Sequence, residues 1–251
     1  MLKIALHNNQ PEIFYTIQGE GKNIGKPSIF IRLSLCNLYC FWCDTDYTWN
    51  WQGTPFKHQN DQKLTYHKFK KKENLMIMSN EEIIERLKKY PCQNIVITGG
   101  EPLVQKKDLI PFLELLKSDE PNYHIEFETN ATIVPDKKLD TLADQYNVSV
   151  KLQNSLVAEK ERINEKAISF FAQSSKSNFK FVVDNPQDIE EIKAILVKFK
   201  IEAKKVYLMP QGVETEILQK KQKWLIEICK QCGFNYTDRL HILVYGDKRG
   251  V

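Results

Sequence analysis

The sequence predicts an α/β fold built on a mainly parallel sheet with crossover helices. Three observations predict it. Short apolar, β-branched runs alternate with amphipathic stretches along most of the chain. Parallel strands need long crossovers, and helices are their usual form. Cysteines, glycines and polar residues gather just after these runs, where parallel α/β folds bind their ligands. No repeat or linker-like stretch divides the 251 residues. One domain spanning 1–251 is therefore expected, since folds of this class hold such a length in a single unit.

The elements follow in order. PSIFIRLSL (27–35) reads as a strand that ends at a cysteine cluster. NIVIT (94–98), HIEFET (124–129), VSVKL (148–152), FKFVV (179–183), VYLM (206–209) and LHILVY (240–245) read as later strands. Ser79 with Glu82 forms a capping box ahead of Ile83, Ile84 and Leu87. A second helix begins near Asp184 or Asn185, with Ile189, Ile192, Leu196 and Phe199 at helical spacing. Ile217, Leu218, Trp224, Leu225 and Ile228 mark the last helix. Residues at about 51–78 break the rhythm and read as a lysine-rich insertion. Between Lys57 and Glu73, six lysines face only Asp61 and Glu73. Such a segment can touch nucleic acid or an acidic partner, but a solvated surface is the plainer expectation.

Composition narrows the class. Hydrophobic residues make up 42% and charged residues 27%, with a net charge of +4, ordinary values for a globular protein. No apolar run reaches the roughly 18 residues that a membrane span needs. MLKIALHNNQPEIFY at the start has no signal-peptide core, so a cytoplasmic location is expected. Six cysteines are too few for a secreted disulfide scaffold. In a reducing compartment a tight cysteine cluster more often binds metal or does chemistry.

LSLCNLYCFWCDT (33–45) holds Cys36, Cys40 and Cys43. Three core thiols packed as small hydrophobes would not need this spacing beside Asn37, Asp44 and Thr45. A closed zinc site wants a fourth ligand, and none is local; Cys92 and the Cys229/Cys232 pair are remote in sequence. An iron–sulfur cluster on three thiolates would leave one iron open, and open metal positions are where catalysis occurs. Cys229 and Cys232, before Gly233, read as helix-face residues, and Cys92 as structural. His58, His67 and His124 have no ligand-like spacing.

The C-x3-C-x2-C pattern, with Phe41 and Trp42, resembles the radical S-adenosylmethionine superfamily. Gly99-Gly100-Glu101-Pro102 at the next strand end is similar to that superfamily's second signature. IFYTIQGEG (13–21), Arg32, Asp44-Thr45, Tyr47 to Asn50, LMPQG (208–212), RLHILVYG (239–246) and the closing Arg249-Gly250-Val251 together resemble the 7-carboxy-7-deazaguanine synthase family. The likeness runs from about residue 10 to the last, outside most of 51–78.

That resemblance implies a partial (incomplete) TIM-type barrel around a radical S-adenosylmethionine core. It implies a lyase that converts 6-carboxy-5,6,7,8-tetrahydropterin to 7-carboxy-7-deazaguanine and ammonia in queuosine and 7-deazapurine biosynthesis. It implies a 4Fe-4S cluster on Cys36, Cys40 and Cys43, S-adenosylmethionine on the open iron, and Mg2+ on Thr45. The adenosyl radical would take hydrogen from the pterin and later return it. S-adenosylmethionine would be contacted by Trp42, Asp44, Gly100, Glu101, Glu128, Ser149, Lys151, Met209, Pro210, Gln211 and Gly212. The pterin would meet Ile17, Gln18, Gly19, Glu20, Arg32, Thr98, His241 and Val251. Glu20 would accept from its amino-pyrimidinone edge, Arg32 would grip its carboxylate, and the Val251 carboxylate would fold onto it. Plain alternatives stand beside several of these: a polar turn for Gln18 to Gly21, a strand arginine with a protein partner for Arg32, and a capping hydroxyl for Thr45. Val150 stands where the family has proline between serine and lysine, and Ala131 where glycine is common. Expected partners are the small pterin and a flavodoxin- or ferredoxin-type electron donor, in a homodimer, with no membrane and no direct nucleic acid. A glycyl-radical-enzyme activase shares the two signatures, and a zinc- or cluster-stabilised RNA-binding module is the non-enzyme alternative.

Overall fold

The computed structural model describes residues 1–251. Eleven strands form one sheet: β1 (Leu2–His7), β2 (Gln10–Pro11), β3 (Ile13–Ile17), β4 (Pro27–Leu33), β5 (Leu75–Met78), β6 (Asn94–Gly99), β7 (His124–Thr129), β8 (Gln145–Val148), β9 (Ser177–Val183), β10 (Val206–Pro210) and β11 (Asn235–Tyr236). The helices are α1 (Lys71–Asn74), α2 (Asn80–Leu87), α3 (Lys106–Asp119), α4 (Lys137–Leu142), α5 (Glu159–Arg162), α6 (Glu165–Gln173), α7 (Asp188–Phe199), α8 (Thr215–Cys232) and α9 (Leu240–Tyr245).

From β4 the strands β6, β7, β8, β9, β10 and β11 follow in sequence order, each parallel to the last. On the other edge of β4, β3 pairs antiparallel from Pro27 to Ile31, and β1 takes over at Leu33. The sheet does not close, because β11 and β2 stay at opposite ends of its order. This is the expected incomplete parallel barrel. Its core is aliphatic and aromatic: Ile29, Ile31, Ile95, Ile97, Ile125, Phe127, Tyr146, Phe179 and Phe181 are almost fully buried, as strands covered on both faces require.

Local signals held at α2, where Ser79 and Glu82 exchange both capping bonds. At α8, Gly233 adopts φ 67° and ends the helix. Cys229 is buried in the main core cluster, as a helix-face residue would be. The second helix, α7, begins at Asp188, whose carboxylate accepts from the Asp184 and Asn185 amides just before it.

Two expectations need correction. LHILVY (240–245) is helix α9, not a strand; six apolar residues carry no decisive period. The fourth parallel strand is Gln145–Val148 rather than 148–152. Its polarity hid it, because Gln145 and Asn147 are buried and bonded to each other. The insertion is mostly exposed, as expected for a solvated surface, with His58 and Met78 its buried residues. Its last residues are β5, which pairs with β1 from Leu2 to Ala5, and Trp51 bridges to Phe69 to close its base. The strands β1, β2 and β3 lie before the first strand that the sequence pattern marks.

Candidate active site

The carboxyl ends of the parallel strands open onto one cavity. Every candidate residue lines it except Glu101 and Pro210. Cys36, Cys40 and Cys43 stand on the loop after β4. The glycines close β6 against that loop. A Cβ on Gly99, at φ 130°, would lie 1.9 Å from the Leu33 carbonyl oxygen. One on Gly100 would lie 2.1 Å from the Leu35 carbonyl oxygen and 2.9 Å from the Cys36 Cβ. The Gly100 and Glu101 amides then donate to the Leu33 and Leu35 carbonyls at 3.1 and 2.9 Å. Only glycine permits this approach, so the pair first serves to seat the cysteine loop.

Glu101 lies behind the wall, fully buried. It accepts from the Leu103 amide (3.0 Å), the Thr129 hydroxyl (2.9 Å) and the Asn130 amide (2.6 Å). It braces the β6 turn to the end of β7 and does not line the cavity. Pro210 ends β10 in register with Val183, and its neighbours Met209, Gln211 and Gly212 form the wall instead.

Burial pushes all three thiols upward: Cys36 well above its ordinary value, Cys40 above it, and Cys43 to about 12. Lys151 partly offsets this at Cys40. No group of three or more cysteine, histidine or carboxylate side chains is arranged to hold a single metal ion. A closed zinc site would need that arrangement. Three thiols lining one cavity, Cys40 buried and Cys36 and Cys43 half-buried, suit a larger iron–sulfur cluster, whose charge would compensate the thiolates.

Trp42 donates its indole N–H to the Asn154 carbonyl (2.9 Å), with the Lys151 ammonium 5.8 Å from its ring centre. Lys151 donates to the Ser149 hydroxyl at 2.9 Å. Both residues reach the cavity while Val150 between them is buried in the core. With valine between them, Ser149 and Lys151 both still face the cavity. Ala131 has φ 62°, the left-handed region that explains a preference for glycine there. The Thr45 hydroxyl makes no capping bond. Its nearest partners, the Gly99 carbonyl and the Cys43 sulfur, are both at 3.5 Å.

The opposite end of the cavity is charged. Arg32 donates from Nε to Glu12 at 3.0 Å, and Arg249 donates to the other Glu12 oxygen at 2.9 Å. Glu20 accepts from Lys180 (2.6 Å) and Arg239 (3.1 Å). Arg239 also pairs with Asp44, and Lys180 with Glu128 at 2.8 Å. Burial opposes the ionisation of Glu20, but Lys180 and Arg239 outweigh it and hold the carboxyl well below its ordinary range. Gln18 donates to Glu126 (2.8 Å) and Glu128 (3.2 Å), so its amide is occupied by protein. Thr98 and Ile17 complete the wall, with Gly19 beside His241. Val251 also lines it.

Sequence reasoning missed Lys180 and Arg239. A lysine inside the apolar run FKFVV was the available signal, since lysine is almost never buried without a partner.

The radical SAM superfamily model matches residues 31–156, which run from the end of β4 through the cysteine loop and the glycine turn. The fold, the three thiols and that match define a radical S-adenosylmethionine protein. Among curated relatives, the 7-carboxy-7-deazaguanine synthase of Pyrobaculum aerophilum is 32% identical over 95% of each chain. That of Rhodopirellula baltica is 31% identical over 96% of this chain and 87% of its own. The crystal structure of QueE from Escherichia coli has the same fold, with TM-score 0.65, 24% identity and 95% of each chain covered. The chain belongs to the 7-carboxy-7-deazaguanine synthase family. None of its helices is long and apolar enough to cross a membrane.

Proposed function

We propose that the chain converts 6-carboxy-5,6,7,8-tetrahydropterin to 7-carboxy-7-deazaguanine with release of ammonia. The observation that carries this reading is one cavity with two unlike ends: three thiols that burial pushes upward at one, and prearranged Glu20 and Arg32 at the other. Cys36, Cys40 and Cys43 would hold the 4Fe-4S cluster. With S-adenosylmethionine bound, that cluster supplies one-electron chemistry that generates a carbon radical able to abstract hydrogen.

The chain's own residues bind, orient and exclude water. Glu20 is ionised, and its two oxygens each keep a lone pair for the N–H groups of a pyrimidinone edge. Arg32 is fixed through Nε alone, which leaves its terminal nitrogens for a substrate carboxylate. Ser149, Lys151, Trp42 and the Met209, Gln211 and Gly212 wall lie on the thiol side, where S-adenosylmethionine would sit. The Thr45 hydroxyl, without a close partner, would be an oxygen ligand for Mg2+. A one-electron donor of the flavodoxin or ferredoxin type would reduce the cluster.

The test is anaerobic turnover of the reconstituted chain with the carboxy-tetrahydropterin, S-adenosylmethionine and a reductant. The deazaguanine product and one ammonia per product are expected. A loaded cluster that cleaves S-adenosylmethionine without forming that product would overturn the substrate assignment.

A further inference from the structure

The part of the insertion that folds back lies on the cysteine loop, not in solvent. His58 is 1% exposed. Its Nε2–H donates to the Cys43 carbonyl at 2.8 Å, and its Nδ1 accepts from the Asn60 amide at 3.3 Å. The Gln59 amide donates to the Phe41 carbonyl at 2.8 Å. Tyr66 reaches back to Asp46, and Asn50 donates to Tyr66 at 2.8 Å. Phe56 stacks on Tyr39 with ring centres 4.4 Å apart. It also meets the edge of Trp49 at 6.0 Å, while His58 meets Trp49 at 6.3 Å. Trp49 is 5% exposed, and its indole N–H donates to the Cys43 sulfur at 3.3 Å.

We infer that residues 51–69 form a clasp that fixes Cys43 and Trp49, so that the Trp49 N–H tunes and shields the third cluster thiolate. The inference rests on the cluster assignment above and adds a role for a segment outside the family likeness. A hydrogen bond to a ligand sulfur stabilises the more negative, reduced cluster and raises its potential. His58, Phe56 and Tyr66 are positioning residues that act through the loop and the indole, much as outer partners orient metal ligands.

The test is an EPR-monitored redox titration of the anaerobically reconstituted full chain. Trp49→Phe keeps the ring and removes the N–H. It should retain wild-type iron and sulfide content while its midpoint moves to more negative potential. His58→Ala should release iron to a chelator roughly 10-fold faster than wild type, and His58→Gln, which can still donate to the carbonyl, should restore retention. A Trp49→Phe midpoint equal to wild type overturns the tuning, and wild-type iron release from His58→Ala overturns the clasp. Should Trp49→Phe fail to fold, Phe56→Leu takes its place. It loosens the indole from a distance and should give a smaller shift of the same sign, and an unmoved midpoint again overturns the inference. Wild-type protein that binds no four-iron cluster would instead sink the underlying site assignment.

Discussion

The two ends of the cavity are built on opposite electrostatic plans. At the charged end Glu12 and Glu20 already face cations: Glu12 holds Arg32 and Arg249, and Glu20 holds Lys180 and Arg239. At the thiol end, burial raises three thiols; a cation, Lys151, offsets this at Cys40, and at Cys36 and Cys43 only hydrogen bonds do. A buried anion without a partner is costly. The charged end is therefore complete in the chain alone, whereas the thiol end awaits positive charge from outside. One end is preorganised to recognise a polar molecule, and the other is a holder for a cationic group.

The largest way to break this contrast is Gly100→Ala. Its Cβ would strike backbone rather than a flexible side chain. A loss of about 3 kcal/mol or more is expected, together with failure to retain iron. Iron content and a thermal melt check both, and a loaded variant with a wild-type melt would contradict the seating role of the glycine. At the charged end, Glu20→Gln should cost about 2 kcal/mol at neutral pH, because two buried cations lose a shared partner. The folded Glu20 carboxyl lies below its ordinary value of 4.5. Its contribution is thus present above about pH 4.5 and lost as pH falls through the folded value. The gap in melting temperature between wild type and Glu20→Gln should be widest near neutrality and narrow in acid. A gap that widens in acid would reverse the sign. Thr45→Ala should weaken the apparent magnesium affinity of turnover at least about 10-fold with cluster content unchanged; unaltered magnesium dependence removes Thr45 as a ligand. Cys232→Ser, on the far side of the sheet order from the cluster loop, should stay within about 0.5 kcal/mol of wild type with full iron. Loss of iron would bring that helix pair into the metal site.

The thiol end was the more legible in sequence. Its ligands fall in one short stretch, and Gly99-Gly100 follows on the neighbouring strand. The charged end was half legible: Glu20 and Arg32 came through resemblance, whereas the lysine inside FKFVV flags Lys180 as paired but neither it nor Arg239 has a partner nearby in sequence. Among the elements, the β-branched runs at β4, β6, β7 and β9 declared themselves. The strand at β8 did not, because its polar residues are satisfied inside the protein, Asn147 by Glu126 and Glu128 and Gln145 by Asn147 and Asn23. The six-residue run at α9 had no period long enough to separate helix from strand. The insertion looked solvated by its lysines, yet His58, Phe56 and Tyr66 direct its packing.

The central claim is that three thiols hold a four-iron cluster whose fourth iron is left for S-adenosylmethionine. Mössbauer spectroscopy of the iron-57 reconstituted chain, recorded before and after S-adenosylmethionine is added, tests it most directly. The account predicts that one iron of the cluster changes its signal on addition while the other three do not. A spectrum unmoved by S-adenosylmethionine, in protein carrying the full cluster, would contradict it.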